Sequence, residues 1–139
     1  MLRRTSETWN RLADAVLAAG ALAEANPGEE EFSAQYRDAI VAIFSPEWDA
    51  TLNALKHEAS SEAAESCIEF LVADPMCFRS GYEKEKVCRI LANAELTDDQ
   101  RQRLKATVDK VLQGPPRVGR ELKRWQHLQQ VLQEYESKS

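Results

Sequence analysis

The chain has 139 residues, 43% of them hydrophobic and 29% charged, so it can bury a core without help from disulfides or metals. Its net charge of −5 is not that of a domain made basic throughout for nucleic acid, and no apolar run approaches the ~20 residues of a membrane-spanning helix. Five glycines and five prolines are too few for a β-rich or linker-rich chain.

The first segment begins Met1, Leu2, Arg3, Arg4 and runs into an Ala-rich stretch from Ala15 to Ala23, which imitates a secretory signal. Trp9, Asn10, Arg11 and Asp14 interrupt the imitation, so no signal is expected. Trp9, Leu12, Ala13, Val16 and Leu17 instead fall at helical spacing, which predicts a helix from about Ser6 to Ala25. Gly20 lies on the same stripe and marks either a weak point or a close approach by a neighbour. Asn26, Pro27 and Gly28 stop the helix. Glu29, Glu30 and Glu31 open the second, where negative charge suits the N-terminal end of the helix dipole; its inner face is Phe32, Tyr36, Ala39, Ile40 and Ile43.

Ser45 and Pro46 predict a third helix, because serine caps the exposed amides and proline at the first position loses no needed hydrogen bond. Its stripe is Trp48, Leu52 and Leu55. A fourth begins at Ser60 or Ser61 and turns Ala64, Cys67, Ile68 and Leu71 inward, with Phe70 widening the apolar face. That width predicts a central helix. Pro75 pushes Asp74 out of helical geometry and ends it. The loop from Ala73 to Tyr82 contains Met76, Cys77, Phe78 and Arg79, and a fifth helix starts near Ser80 with Tyr82, Val87, Cys88 and Leu91 inward. Phe78 and Tyr82 are expected to plug the core. Thr97 and Gln100 match a capping box before a sixth helix carrying Leu104, Val108, Val111 and Leu112. Pro115 and Pro116 break the chain before a seventh, from about Arg117, presenting Val118, Leu122, Trp125, Leu128, Leu132 and Tyr135, with a fraying tail from Glu136 to Ser139.

No segment alternates long enough to predict a strand. The expectation is therefore an all-α chain, one domain over 1–139, of about seven short amphipathic helices stacked as antiparallel pairs, either HEAT-like or an irregular bundle. Predicted helix starts recur every 15 to 20 residues or so, the size of helical-hairpin repeats, without sequence self-similarity between units.

Enzyme signatures are absent. Gly81 and Gly114 stand alone, outside any phosphate-binding loop. His57 and His127 are far apart, and no Glu-x-x-His pattern of a di-metal bundle occurs, so neither cofactor nor metal is expected. Asp98 and Asp99 lie at a helix start, where the dipole explains them. Cys67, Cys77 and Cys88 are odd in number and unlike a CxxC pair, which points to a reducing, cytoplasmic setting; no neighbouring His or Asp run activates Cys77.

Charge is distributed unevenly. Residues 1–76 hold 14 acidic and five basic side chains; residues 77–139 hold 13 basic and nine acidic ones. Glu58, Glu62, Glu65 and Glu69 recur near one helical face and read as a solvated acidic surface. Arg101, Arg103, Lys105, Lys110, Arg117, Arg120, Lys123 and Arg124 form the sharpest basic cluster. Arg101, Arg103, Arg120 and Arg124 are expected on the polar sides of the last two helices.

Cys77 to Tyr82, Lys84, Glu85, Leu96, Thr97, Gln100, Arg103, Leu104 and Arg120 to Leu122 together resemble a segment of uncharacterised bacterial helical proteins akin to HEAT-type repeats. The likeness spans roughly residues 68–128. It implies a stacked-helix fold and a protein-binding role, and carries no functional residues across. The functional expectation is a non-enzymatic module that binds another protein, as an adaptor or a neutralising inhibitor. Its candidate contacts are Met76, Cys77, Phe78 and Arg79 in the loop, or Glu58, Glu62, Glu65 and Glu69 on the acidic face. The alternative is a nucleic-acid binder using Arg101, Arg103, Arg120 and Arg124.

Overall fold

A computed structural model describes residues 2–138. They form seven α-helices and, among the described residues, no strand: α1 (Ser6–Ala25), α2 (Glu30–Ile43), α3 (Pro46–Glu58), α4 (Ser61–Ala73), α5 (Ser80–Ala92), α6 (Asp98–Gln113) and α7 (Gly119–Lys138). Among the described residues, no helix is long and apolar enough to cross a membrane.

Side-chain caps account for four of the seven helix starts. Thr5, Ser45, Ser60 and Thr97 each accept a backbone N–H from the third residue beyond them, and Gln100 completes the capping box by accepting the Thr97 N–H. Asp74 ends α4 in the left-handed region (φ 48°). The last helix starts at Gly119 (φ 62°), later than the sequence predicts, so Val118 lies outside it and is 79% exposed. Tyr135 is also exposed, and only Trp125, Leu128 and Leu132 of the expected α7 stripe are fully buried. Nor does α7 end early: it continues to Lys138, and Glu136 pairs with Lys105 of α6 at 2.9 Å; Ser139 lies outside the described residues.

The helices stack in two layers. α1, α4 and α6 lie side by side and run the same way: Ser6 meets Glu69, Trp9 meets Phe70, Ser61 meets Gln100, and Glu69 meets Arg103. α3, α5 and α7 form the second layer, also mutually parallel. Trp48 bonds Glu83, Leu55 shares a cleft with Ile90, Gly81 approaches Glu121, and Leu91 shares a cleft with Leu132. Antiparallel neighbours such as α6 and α7 join the layers through Asp109–Gln129 and Lys105–Glu136. α2 folds back on α1, and its Tyr36 ring stands 3.2 Å from where a Cβ on Gly20 would sit. Gly20 therefore marks a close approach.

The core sits between the layers. Trp9, Trp48 and Phe70 of three different helices meet with ring centroids 4.7–5.1 Å apart, inside the range of favourable edge contacts. Leu52, Ile68, Leu71, Leu91, Leu104, Val108 and Trp125 are buried as their spacing predicts. The central position of α4 follows from its breadth: Ala63, Ala64, Cys67, Ile68, Phe70 and Leu71 are buried on it, and it packs against α1, α3, α5 and α6. The layered order brings the α4–α5 and α6–α7 connections and the start of α3 to one edge. The candidate site lies on that edge.

Candidate functional site

The connection from Asp74 to Ser80 is held at both ends by charged side chains. On one side the Asp74 carboxylate accepts from Lys84 Nζ at 2.8 Å and from Arg117 Nη1 at 3.1 Å. Arg117 also reaches Glu121 at 2.7 Å, and Glu121 accepts the Trp125 indole N–H at 3.1 Å. Two cations and two carboxylates thus compensate one another. Lys84 is fully buried, and its Nζ lies 3.5 Å from Met76 Sδ. Burial pulls the Arg117 guanidinium down, but its bonds to Asp74 and Glu121 outweigh this and leave it above its ordinary range.

On the other side Arg79 adopts a left-handed backbone (φ 70°), uncommon for a residue with a side chain. The turn is stabilised by Ser80, whose hydroxyl donates to the Cys77 carbonyl at 2.7 Å and accepts its N–H at 3.1 Å. The Arg79 guanidinium lies over the Phe44 ring and 3.5 Å from Glu83, a buried carboxylate that also accepts the Trp48 indole N–H at 2.9 Å. The second Glu83 oxygen has no hydrogen bond; Arg79 and, at 3.7 Å, Lys86 compensate its charge through space.

Between these anchors the chain displays apolar side chains to water. Met76 is 56% and Phe78 57% exposed, and Tyr82, just beyond in the first turn of α5, is 60% exposed. Phe78 leans on Tyr36 of α2, ring centroids 6.3 Å apart. This corrects the expectation that Phe78 and Tyr82 plug the core. The inward face of α5 is Ser80, Glu83, Lys84, Val87, Cys88 and Leu91, and Tyr82 lies off it. Hydrophobicity could not reveal that face, because three of its members, Ser80, Glu83 and Lys84, are polar or charged and find partners. Cys77 is half-buried, and burial raises its thiol above the ordinary value more than nearby Lys84 lowers it. At neutral pH it is a protonated thiol, a poor nucleophile.

The acidic series is not the solvated face its spacing suggests. Glu58 is exposed, and Glu62 pairs with Arg3 at the surface. Glu65 and Glu69, however, share Arg103 of α6 at 2.6 and 2.8 Å. Glu69 also accepts the Ser6 N–H and hydroxyl, and Glu65 accepts the Gln100 amide at 3.3 Å. These groups stitch α1, α4 and α6 into one layer. The Arg103 guanidinium is raised, first by its bond to Glu65.

The basic quartet divides accordingly. Arg103 is committed to this seam, which corrects its placement on a free polar side. Arg101 is also engaged: it donates to the Leu96 carbonyl and to Asp98, and covers the Tyr135 ring at 3.8 Å. Arg120 is exposed and Arg124 partly so, and neither has a hydrogen-bond or ion-pair partner among the described residues. Glu65, Glu69 and Asp74 of the acidic part of the sequence are thus paired with Arg103, Lys84 and Arg117 of the basic part.

Among the described residues, no group of three or more His, Cys, Asp or Glu side chains is arranged to hold a metal ion. No protein-family model matches the chain, and comparison with curated proteins and with solved structures found no match.

Proposed function

We propose that this chain is a non-enzymatic protein-interaction module, a HEAT-like helical stack that acts as an adaptor or inhibitor by binding another protein through the edge formed by Met76, Phe78, Arg79 and Tyr82. One observation carries the reading. Three large apolar side chains, each more than half exposed, occur within seven residues and are held by buried charged groups on both sides. Exposing such groups together is unfavourable unless a partner covers them, and aromatic residues, Met and Arg are the types enriched where partners bind. Ordering the loop in advance also lowers the entropy lost on binding. A cytoplasmic setting suits three free cysteines, two of them buried.

The four glutamates support the reading less well, since Glu65 and Glu69 are occupied internally. The nucleic-acid alternative keeps only Arg120 and Arg124 of its four residues free.

The test is quantitative co-purification from the native source, comparing wild type, the pair Met76→Ser/Phe78→Ser, and a control at exposed Val41 of α2, Val41→Ser. A partner retained by wild type and control and lost by the loop variant is expected. Equal retention by all three would sink the reading. Micromolar affinity for mixed-sequence DNA or RNA at physiological salt, abolished by Arg120→Glu/Arg124→Glu, would promote the alternative.

A further inference from the structure

Beside the loop, a groove of about 630 Å³ opens between the C-terminal halves of α4 and α6. Leu71, Val72, Met76, Ala106, Val111 and Pro115 supply its apolar lining, and Val72 and Met76 are substantially exposed. Asp74 and Arg117 also line it, but they already neutralise each other. Lys110 is the exception. It is exposed and has no hydrogen-bond or ion-pair partner among the described residues.

We propose that this groove seats an amphipathic helix of the partner protein, with apolar side chains pressed between α4 and α6 and a carboxylate opposite Lys110. The inference rests on the reading that this edge of the molecule docks a protein, and it names the chemistry of what docks. A helix fits because α4 and α6 run parallel, leaving a trough into which the ridge of a third helix can pack. An extended peptide has no sheet edge to join, since no strand occurs among the described residues. Met76 suits the purpose, because a flexible thioether adapts to the shape of an incoming side chain.

Charge selects an acidic partner. The one anion lining the groove, Asp74, faces both Lys84 and Arg117, so it offers nothing to an incoming cation. Lys110 is left as the uncompensated charge of the lining. A basic or neutral helix would leave Lys110 without a counter-charge at the rim.

The full chain, immobilised, can be panned at physiological salt against displayed random peptides of about 20 residues, long enough to form a helix. The expected clones combine Leu, Met or Phe at spacings of three and four with Asp or Glu. Their affinity should fall roughly tenfold or more for Lys110→Glu and for Val72→Ser, each variant first shown by circular dichroism to keep wild-type helicity. Clones that weaken with Phe78→Ser but ignore Lys110→Glu and Val72→Ser would overturn this inference and leave the docking edge standing. Clones insensitive to all three variants, or no enriched clones, would overturn both. Lys-rich clones sensitive to Val72→Ser would reverse the proposed charge and overturn the inference. So would dimerisation of the chain alone, seen by sedimentation and broken by Val72→Ser, because the occupant would then be a second copy.

Discussion

Two sets of ion pairs use the same chemistry in different surroundings. In the seam, Arg103 joins Glu65 and Glu69 across α4 and α6, and all three side chains are 30–44% exposed. In the clamp, Asp74, Lys84, Arg117 and Glu121 join the loop to α5 and α7, with Lys84 at 1%, Arg117 at 13%, Glu121 at 20% and Asp74 at 24% exposure. Water screens the seam, so it adds modestly to packing that α4 and α6 already provide through Ile68, Leu71, Leu104 and Val108. Less water reaches the clamp, where buried Lys84 depends on the Asp74 carboxylate. The comparison teaches that burial, rather than the number of ion pairs, decides which set shapes the molecule. The seam joins helices; the clamp fixes the loop that shows Met76 and Phe78 to solvent.

The largest expected effect follows from breaking the clamp at its centre. Asp74→Asn keeps a residue that tolerates the left-handed backbone but leaves Lys84 buried without its counter-charge, which costs about 3–5 kcal/mol. Adding Lys84→Met removes the stranded cation, so the double variant should recover about half of that loss or more in urea melts. Equal losses for single and double variants would show that the clamp is not an electrostatic unit. The cysteines report the same opening. Cys67 and Cys88 are buried, and burial raises both thiols far above their ordinary value, Cys88 with added repulsion from Glu121. They should resist a thiol reagent at neutral pH in the wild type and react faster in Asp74→Asn.

The seam should respond more weakly. Arg103→Ala is expected to cost about 1 kcal/mol for the loss of two partly exposed pairs, and less in ~1 M salt, where screening has already weakened them. A loss as large as that from Asp74→Asn would erase the distinction between the two regions. The smallest effect belongs to the unpaired arginines. Arg120→Glu/Arg124→Glu should alter stability by no more than about 0.5 kcal/mol per site, measured in the same melts.

Legibility in the sequence follows the same divide between local and distant chemistry. The caps at Ser45, Ser60 and Thr97 could be read because each depends on residues within one turn. The breadth of α4 could be read from Phe70 beside Ile68 and Leu71. The loop was visible as an interruption containing Met76, Cys77, Phe78 and Arg79. Its exposure was not, because Ser80, Glu83 and Lys84 took inward positions that hydrophobic periodicity assigns to apolar residues. Nothing near Lys84 in the sequence announces Arg117, which reaches the same Asp74 carboxylate from the connection between α6 and α7. The glutamates misled for a similar reason. Their spacing was readable, but Arg103, which occupies two of them, lies more than 30 residues away in the chain.

The central claim is that the loop is ordered before any partner arrives, and amide hydrogen exchange on the free protein tests it directly. The Cys77 N–H is bonded to the Ser80 hydroxyl and the Ser80 N–H to the Cys77 carbonyl. In the wild type both amides should exchange roughly a hundredfold or more slowly than in an unfolded chain. In Asp74→Asn they should lose more protection than the amides of Trp48 and Phe70 in the core. Exchange of Cys77 and Ser80 at unfolded-chain rates in the wild type would contradict the account, because the loop would then be disordered without its partner and the clamp would fix nothing.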